Sequence, residues 1–196
     1  ISKVGTQPII GTQINLSSDN QIGKITLYAI SENGYKNLTK LSSLSYLKNK
    51  NSYDPCCDID DLILNNEDLI LLTGNYNNFF GKLFYANKTK YFEKTIEKLK
   101  SSFKDRLYIE IQRHSEPQES NYENYLFKIS SLYDLPLIAG QEVYYLDSGM
   151  AEAHDALRCI GEKQFIDDQN RFRYSNQHYL KKSGELKKLY EDIPEA

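Results

Sequence analysis

The sequence predicts an α/β protein, and three observations predict it. Helical stretches alternate with short apolar runs through most of the 196 residues, the pattern of a sheet covered by helices. The run Leu69 to Leu72 is continuously apolar and is broken by Gly74, which suits a buried, parallel strand. The stretch RLYIEIQRHSEP, Arg106 to Pro117, alternates. Leu107, Ile109 and Ile111 share one face and Tyr108, Glu110, Gln112 and His114 the other, because strand side chains repeat every two residues. A polar strand face ending in a loop is how an α/β barrel presents a site. A half-buried antiparallel strand with one wet face has the same pattern.

The elements follow in order. Pro8 to Leu16 reads as a strand with Pro8 at its edge, Ser17 to Asn20 as a polar turn, and Ile22 to Ile30 as a second strand with Ile25, Leu27 and Ala29 on one face. Over Asn33 to Lys48, residues Tyr35, Leu38, Leu41, Leu44 and Leu47 recur at the helical period and make a packing stripe. Asn49 to Asp58 reads as a polar loop, Ile59 to Leu64 as a short helix, and Leu69 to Leu72 as the buried strand. Two helices are expected over Asn78 to Ala86 and Thr89 to Phe103; in the second, Phe92, Ile96 and Leu99 face inward. The polar-faced strand at 106–113 comes next, then a helix from about Ser120 to Tyr133 and a short buried strand, Leu135 to Ala139. Met150 to Ile160 reads as a helix, Gln164 to Tyr179 as irregular, and Ser183 as the N-cap of a closing helix through about Glu191. The strands are expected to be largely parallel.

Composition narrows the classes. A chain of this length makes one domain with a substantial core. Hydrophobic content of 40% and charged content of 26% are those of a soluble globular protein. No apolar run approaches the roughly 20 residues that cross a bilayer, and no signal peptide opens the sequence. A net charge of -3 gives the domain no overall pull toward nucleic acid. The three cysteines, Cys56, Cys57 and Cys159, have no framework spacing, which argues for a reducing cytoplasm. Adjacent side chains at Cys56 and Cys57 diverge and no second CxxC or HxxxH set exists, which argues against zinc there. The opening ISKVG reads as a helix end running into Gly5, and the sequence reads as a fragment of a longer protein with N-terminal material missing.

A set of blocks then carries a family resemblance. GTQPIIGTQINL, ENGYKNLTKLSSLSY, DLILLTGN, LYIEIQRH, LPLIAGQEVYYLD, AEAHDALRCI and HYLKKSGELKKLYEDIPEA stand in this order. Together they resemble successive blocks of the PHP (polymerase and histidinol phosphatase) domain of bacterial replicative DNA polymerase III alpha subunits, across nearly the whole chain. The resemblance implies an incomplete distorted (β/α)7 barrel, residues 1–196 forming a PHP domain whose N-terminal part is missing. It places the polymerase palm, with its magnesium and catalytic aspartates, beyond Ala196, so no catalytic residue is expected here. The whole protein would be a cytoplasmic DNA-directed DNA polymerase, a nucleotidyltransferase of replication, with no membrane contact.

The resemblance also implies a site. Metal-binding members gather His, Asp and Glu at the barrel mouth. On the matching blocks, Gln13 stands where they have an acidic residue, His114 retains their histidine, Glu142 stands for an Asp, and Tyr144 stands for a His. Glu142 can still ligate. A tyrosine is a poor ligand, because its phenol must first lose a proton of pKa about 10. A cluster of two or three divalent ions about 4 Å apart needs several anionic or imidazole ligands, and Gln13 and Tyr144 remove one charge and one imidazole. The expectation is therefore a degenerate metal site, His114 and Glu142, with Glu110 and Gln112 on the polar strand face. The domain would be a structural platform that docks the proofreading exonuclease subunit and meets other holoenzyme subunits, without a cofactor of its own. The alternative is an active metal-dependent phosphoesterase, a 3'-5' exonuclease or pyrophosphatase, using zinc, manganese or iron. Plainer roles remain open: His114 bonded to backbone, His154 packing or capping, His178 at a surface or interface, and Glu110 paired with Arg113, Arg106 or a lysine.

Overall fold

The structure, a computed structural model, describes residues 4–48 and 55–196. The start of the ISKVG helix end and residues 49–54 of the predicted loop lie outside the described residues. Six strands and seven α-helices are formed in the described residues: β1 (Ile10–Ser18), β2 (Gln21–Ala29), α1 (Glu32–Leu47), β3 (Cys56–Asp58), α2 (Ile59–Leu64), β4 (Leu69–Leu72), α3 (Phe79–Tyr85), α4 (Thr89–Phe103), β5 (Leu107–Gln112), α5 (Glu119–Tyr133), β6 (Leu137–Gly140), α6 (Ala151–Glu162) and α7 (Ser183–Leu189).

One sheet runs β3-β1-β2-β4-β5-β6. β1 and β2 form an antiparallel hairpin in the register Ile10↔Ala29 through Ser18↔Gln21. Its two-residue loop, Asp19-Asn20, has positive φ at both positions, 51° and 58°, as a turn that follows the strand twist requires. β2 is also antiparallel to β4, while β1/β3, β4/β5 and β5/β6 are parallel. The sheet is thus more mixed than the alternating pattern suggests, because the tight hairpin replaces a helical crossover between β1 and β2. Among the described residues the sheet is open, with β3 and β6 as its edges.

One face of the sheet is the core. Ile14, Leu16, Ile25, Leu27, Leu69, Leu71, Leu107, Ile109 and Ile111 point to it and are buried. They meet Leu38 and Leu41 of α1, Phe79, Phe80 and Leu83 of α3, Phe92, Ile96 and Leu99 of α4, and Leu126 and Ile129 of α5. Each such side chain stabilises the fold by about 1.5–3 kcal/mol through removal from water. Gly23 brings α3 close to β2: a Cβ there would lie 2.5 Å from Phe79 Cα. The opposite, concave face carries Gln13 and Asn15 on β1, Lys24 and Tyr28 on β2, and Tyr108, Glu110 and Gln112 on β5, by the period of two and the strand registers.

Three other local readings differ. Cys56–Asp58 is a strand, not loop: three residues are too few to show alternation, yet they pair with Asn15–Ser17. Cys57 is buried, its thiol donates to the Leu41 carbonyl at 3.1 Å, and burial pushes its pKa up to about 11. β6 is half-buried along its whole length, because among the described residues no strand covers its outer edge. The N-cap of α7 is Lys182, not Ser183; the Glu185 carboxylate reaches back to the Lys182 N–H at 2.8 Å.

Candidate functional site

β1, β4, β5 and β6 run in the same direction, so their C-terminal ends share one rim of the sheet. Open α/β sheets place ligands at that rim, where loops leave the strands with side chains free of the ladder. The loop after β4 supplies Thr73, Gly74 and Asn75; the loop after β5 supplies Arg113 and His114; the loop after β6 supplies Gln141 and Glu142.

A chain of carboxylates and amides links these loops. Glu110, on β5, is buried at 7% exposure. Its Oε1 accepts from Gln112 Nε2 at 2.8 Å, and among the described residues its Oε2 has no hydrogen-bond partner. Gln112 Oε1 accepts from Asn75 Nδ2 at 3.1 Å, and the same amide donates to Glu142 Oε2 at 3.1 Å. Burial, and then the nearby charge of Glu142, raise the Glu110 carboxyl above the usual carboxylate range. Gly140 makes room for it: a Cβ there would lie 2.1 Å from Glu110 Oε1. Neither Arg106 nor Arg113 pairs with Glu110. Arg106 binds the Asn66 and Leu69 carbonyls, and Arg113 binds Glu123 and Asp192.

His114 is 1% exposed and both ring nitrogens are engaged. Its Nε2 accepts the Glu142 backbone N–H at 3.1 Å. The ring proton therefore sits on Nδ1, 3.2 Å from the Glu119 carboxylate, which also accepts the His114 backbone N–H at 2.8 Å. Sequence reasoning missed Glu119; its place five residues after the histidine, at the start of α5, was the available signal. His178 was expected at a surface or interface and is instead buried, its ring stacked on His114. It lies in the irregular segment after α6, where periodicity carries no burial signal. Its Nδ1 donates to the Glu142 carbonyl at 3.1 Å. Its Nε2 stands 3.5 Å from Glu116 Oε1, beyond good hydrogen-bond geometry.

The other positions divide. Glu142 and Tyr144 sit together at the rim, beside Asn15, Lys24 and Tyr174. Tyr144 stacks on His154, with ring centroids 5.0 Å apart, and also meets Tyr174 and His178. Burial, then its hydrogen bond to Tyr174, hold the Tyr144 phenol far above its ordinary pKa. Gln13 stands apart, exposed on the concave face, with Nε2 3.4 Å from Thr26 Oγ1. Among the described residues no group of three or more His, Cys, Asp or Glu side chains is placed to hold a metal ion. A cavity of about 1130 Å³ lies on the concave face toward the other rim and is lined by Tyr28, Tyr108, Glu110 and Gly140 with apolar Ile10, Ile30 and Leu72. No helix among the described residues is long and apolar enough to cross a membrane.

Comparison with known proteins matches residues 1–114 to the PHP domain family. The chain is 34% identical over 200 residues to the DNA polymerase III subunit alpha of Caulobacter vibrioides, covering 98% of this chain and 18% of that protein. It is 36% identical over 191 residues to the same subunit of Rickettsia prowazekii, covering 97% of this chain and 16% of the relative. The Escherichia coli K12 subunit is 31% identical over 196 residues, with 98% and 17% covered. The chain therefore spans less than a fifth of the length of these curated relatives.

Proposed function

Since this chain belongs to the PHP domain family, we propose that it is the PHP portion of a DNA polymerase III alpha subunit that serves as platform rather than catalyst. In this reading the complete polypeptide is a cytoplasmic replicative DNA polymerase. Nucleotide addition takes place elsewhere in it, on a palm that binds magnesium. The PHP domain stabilises that enzyme and docks the proofreading exonuclease subunit.

The observation that carries the reading is the state of His114. An imidazole nitrogen that accepts an N–H has no lone pair left for a metal, and Nε2 accepts the Glu142 amide while Nδ1 carries the proton given to Glu119. Tyr144 keeps its phenolic proton, and Gln13 offers a neutral amide away from the rim. This donor set does not fit a cluster of divalent ions, which needs several anionic or imidazole ligands converging on one space. The relatives' names support the polymerase part of the reading.

Two measurements test it on the full-length polypeptide. Co-purification with the cognate exonuclease subunit is expected, and its absence sinks the docking role. Elemental analysis is expected to find no stoichiometric zinc, manganese or iron. Two or more such ions per chain would instead favour the phosphoesterase alternative.

A further inference from the structure

Two buried side-chain oxygens, Glu110 Oε2 on β5 and the Tyr122 hydroxyl on α5, have no hydrogen-bond partner among the described residues. Their side chains are 7% and 3% exposed, so bulk water does not serve them. Such orphans are rare in folded proteins, because a buried polar group forfeits its bonds to water. The Gly74 N–H favours the charged form of Glu110 without reaching hydrogen-bond geometry at Oε2. Both residues line one small cavity between β5, α5 and the loop after β4, with Ile111 and Leu126 as its apolar wall. Its volume of about 10 Å³ is room for about one water. Asn75, Gln112, Glu119 and Glu123 of the same wall all have partners. Tyr122 and Glu110 are neighbours: burial, and then the Glu110 charge, raise the Tyr122 phenol well above its ordinary pKa. No direct bond joins them. Polar groups that are close yet beyond bonding distance are spanned by water where the space suffices.

We propose that this cavity binds one structural water, which accepts from the Tyr122 hydroxyl and donates to Glu110 Oε2. A water is both donor and acceptor, and the pair needs both. A monovalent cation would suit the carboxylate but would leave the Tyr122 proton without an acceptor. The bridge continues from Glu110 Oε1 through Gln112 and Asn75 to Glu142. One hydrogen-bonded line then ties α5 to β5 and to the loops after β4 and β6. The water site needs no metal, nucleotide or partner protein and is independent of the platform role.

The test is a crystal structure of the full-length polypeptide and of its Tyr122→Phe variant, at a resolution that shows ordered waters. A single peak about 2.5–3.0 Å from both the Tyr122 hydroxyl and Glu110 Oε2 is expected, and it should be lost in Tyr122→Phe. No peak, a peak that touches neither oxygen, or a direct bond between the two side chains overturns the proposal. So does a peak closer than about 2.5 Å to Glu110, which marks a cation. Hydrogen exchange of the full-length polypeptide, read by peptide mass spectrometry, measures the same bridge in solution. Tyr122→Phe should speed exchange in β5 and the first turn of α5 by about fivefold. On a Glu110→Ala background the same substitution should add nothing, because the bridge is already broken. Additive effects of the two substitutions overturn the bridge.

Discussion

The imidazoles of His114 and His178 lie parallel, 1° apart in plane, with centroids separated by 4.1 Å. Glu142 joins them through its backbone, its N–H donating to His114 and its carbonyl accepting from His178. One peptide segment after β6 is thus tied to the loop after β5 and to the irregular segment ahead of α7.

That arrangement predicts acid lability. Burial, and then the neighbouring His114, lower the pKa of His178 below its ordinary 6.5. The unfolded chain then takes up a proton near pH 6.5 that the folded chain refuses, so stability is fully present above about 6.5 and falls as pH drops below it, until the lowered folded pKa is passed. Melting temperature is expected to decrease between pH 7.5 and 5.5. His178→Gln, which keeps a donor for the Glu142 carbonyl, should be less stable at pH 7.5 and show a flatter decrease. An equal slope in both proteins would assign the acid lability to other groups.

Glu110 carries the opposite sign. Its folded pKa is raised, so the folded state binds its proton more tightly than the unfolded state does, and ionisation costs stability as pH rises through the folded value. Glu110→Gln removes that charge while its amide oxygen keeps the bond from Gln112. The variant is expected to be more stable than the parent at pH 8 by on the order of 1 kcal/mol, with the difference vanishing at pH 4. Denaturant titration at the two pH values decides it; a less stable variant at pH 8 would mean that the carboxylate serves a partner that an amide cannot.

Gly140→Ala tests the close approach of β6 to that carboxyl. The new methyl would sit 2.1 Å from Glu110 Oε1 and 2.8 Å from its Cγ, so either β6 moves from β5 or Glu110 leaves its place. Overpacking of this kind costs about 1–3 kcal/mol. The loss should shrink when Gly140→Ala is combined with Glu110→Ala, and a double-mutant cycle measures that coupling.

How much of this was legible depended on the reach of each signal. The apolar face Leu107, Ile109 and Ile111 was visible because alternation is local and burial follows from it. The helices were visible within one or two residues for the same reason. His178 and Glu119 were not placed at His114, since one lies in irregular chain and the other is joined to it by a loop whose path no period encodes. Cys56–Asp58 was missed because its partner strand is 41 positions away in the register Asn15↔Cys56.

Arg113 carries the last prediction. Its guanidinium binds Glu123 of α5 at 2.7 Å, Asp192 at 2.6 Å and the Leu189 carbonyl at 2.7 Å, and it lies 5.2 Å from the centre of the Tyr190 ring. The Tyr190 hydroxyl in turn donates to the Gly140 carbonyl at 2.8 Å. One side chain therefore fastens α7 and the turn after it onto β5, α5 and β6. Arg113→Ala leaves the half-buried Glu123 without its cation and should cost about 2 kcal/mol. Arg113→Lys should recover only part of the loss, because an ammonium cannot serve two carboxylates in bidentate fashion. Asp192, held at about 2 by the same guanidinium, contributes stability above its ordinary 3.8 that is lost as pH falls through about 2. Amide exchange in α7, Ser183–Leu189, should accelerate in Arg113→Ala while β1 and β2 keep their protection. Uniform acceleration across the sheet would show that Arg113 supports the whole core rather than this fastening.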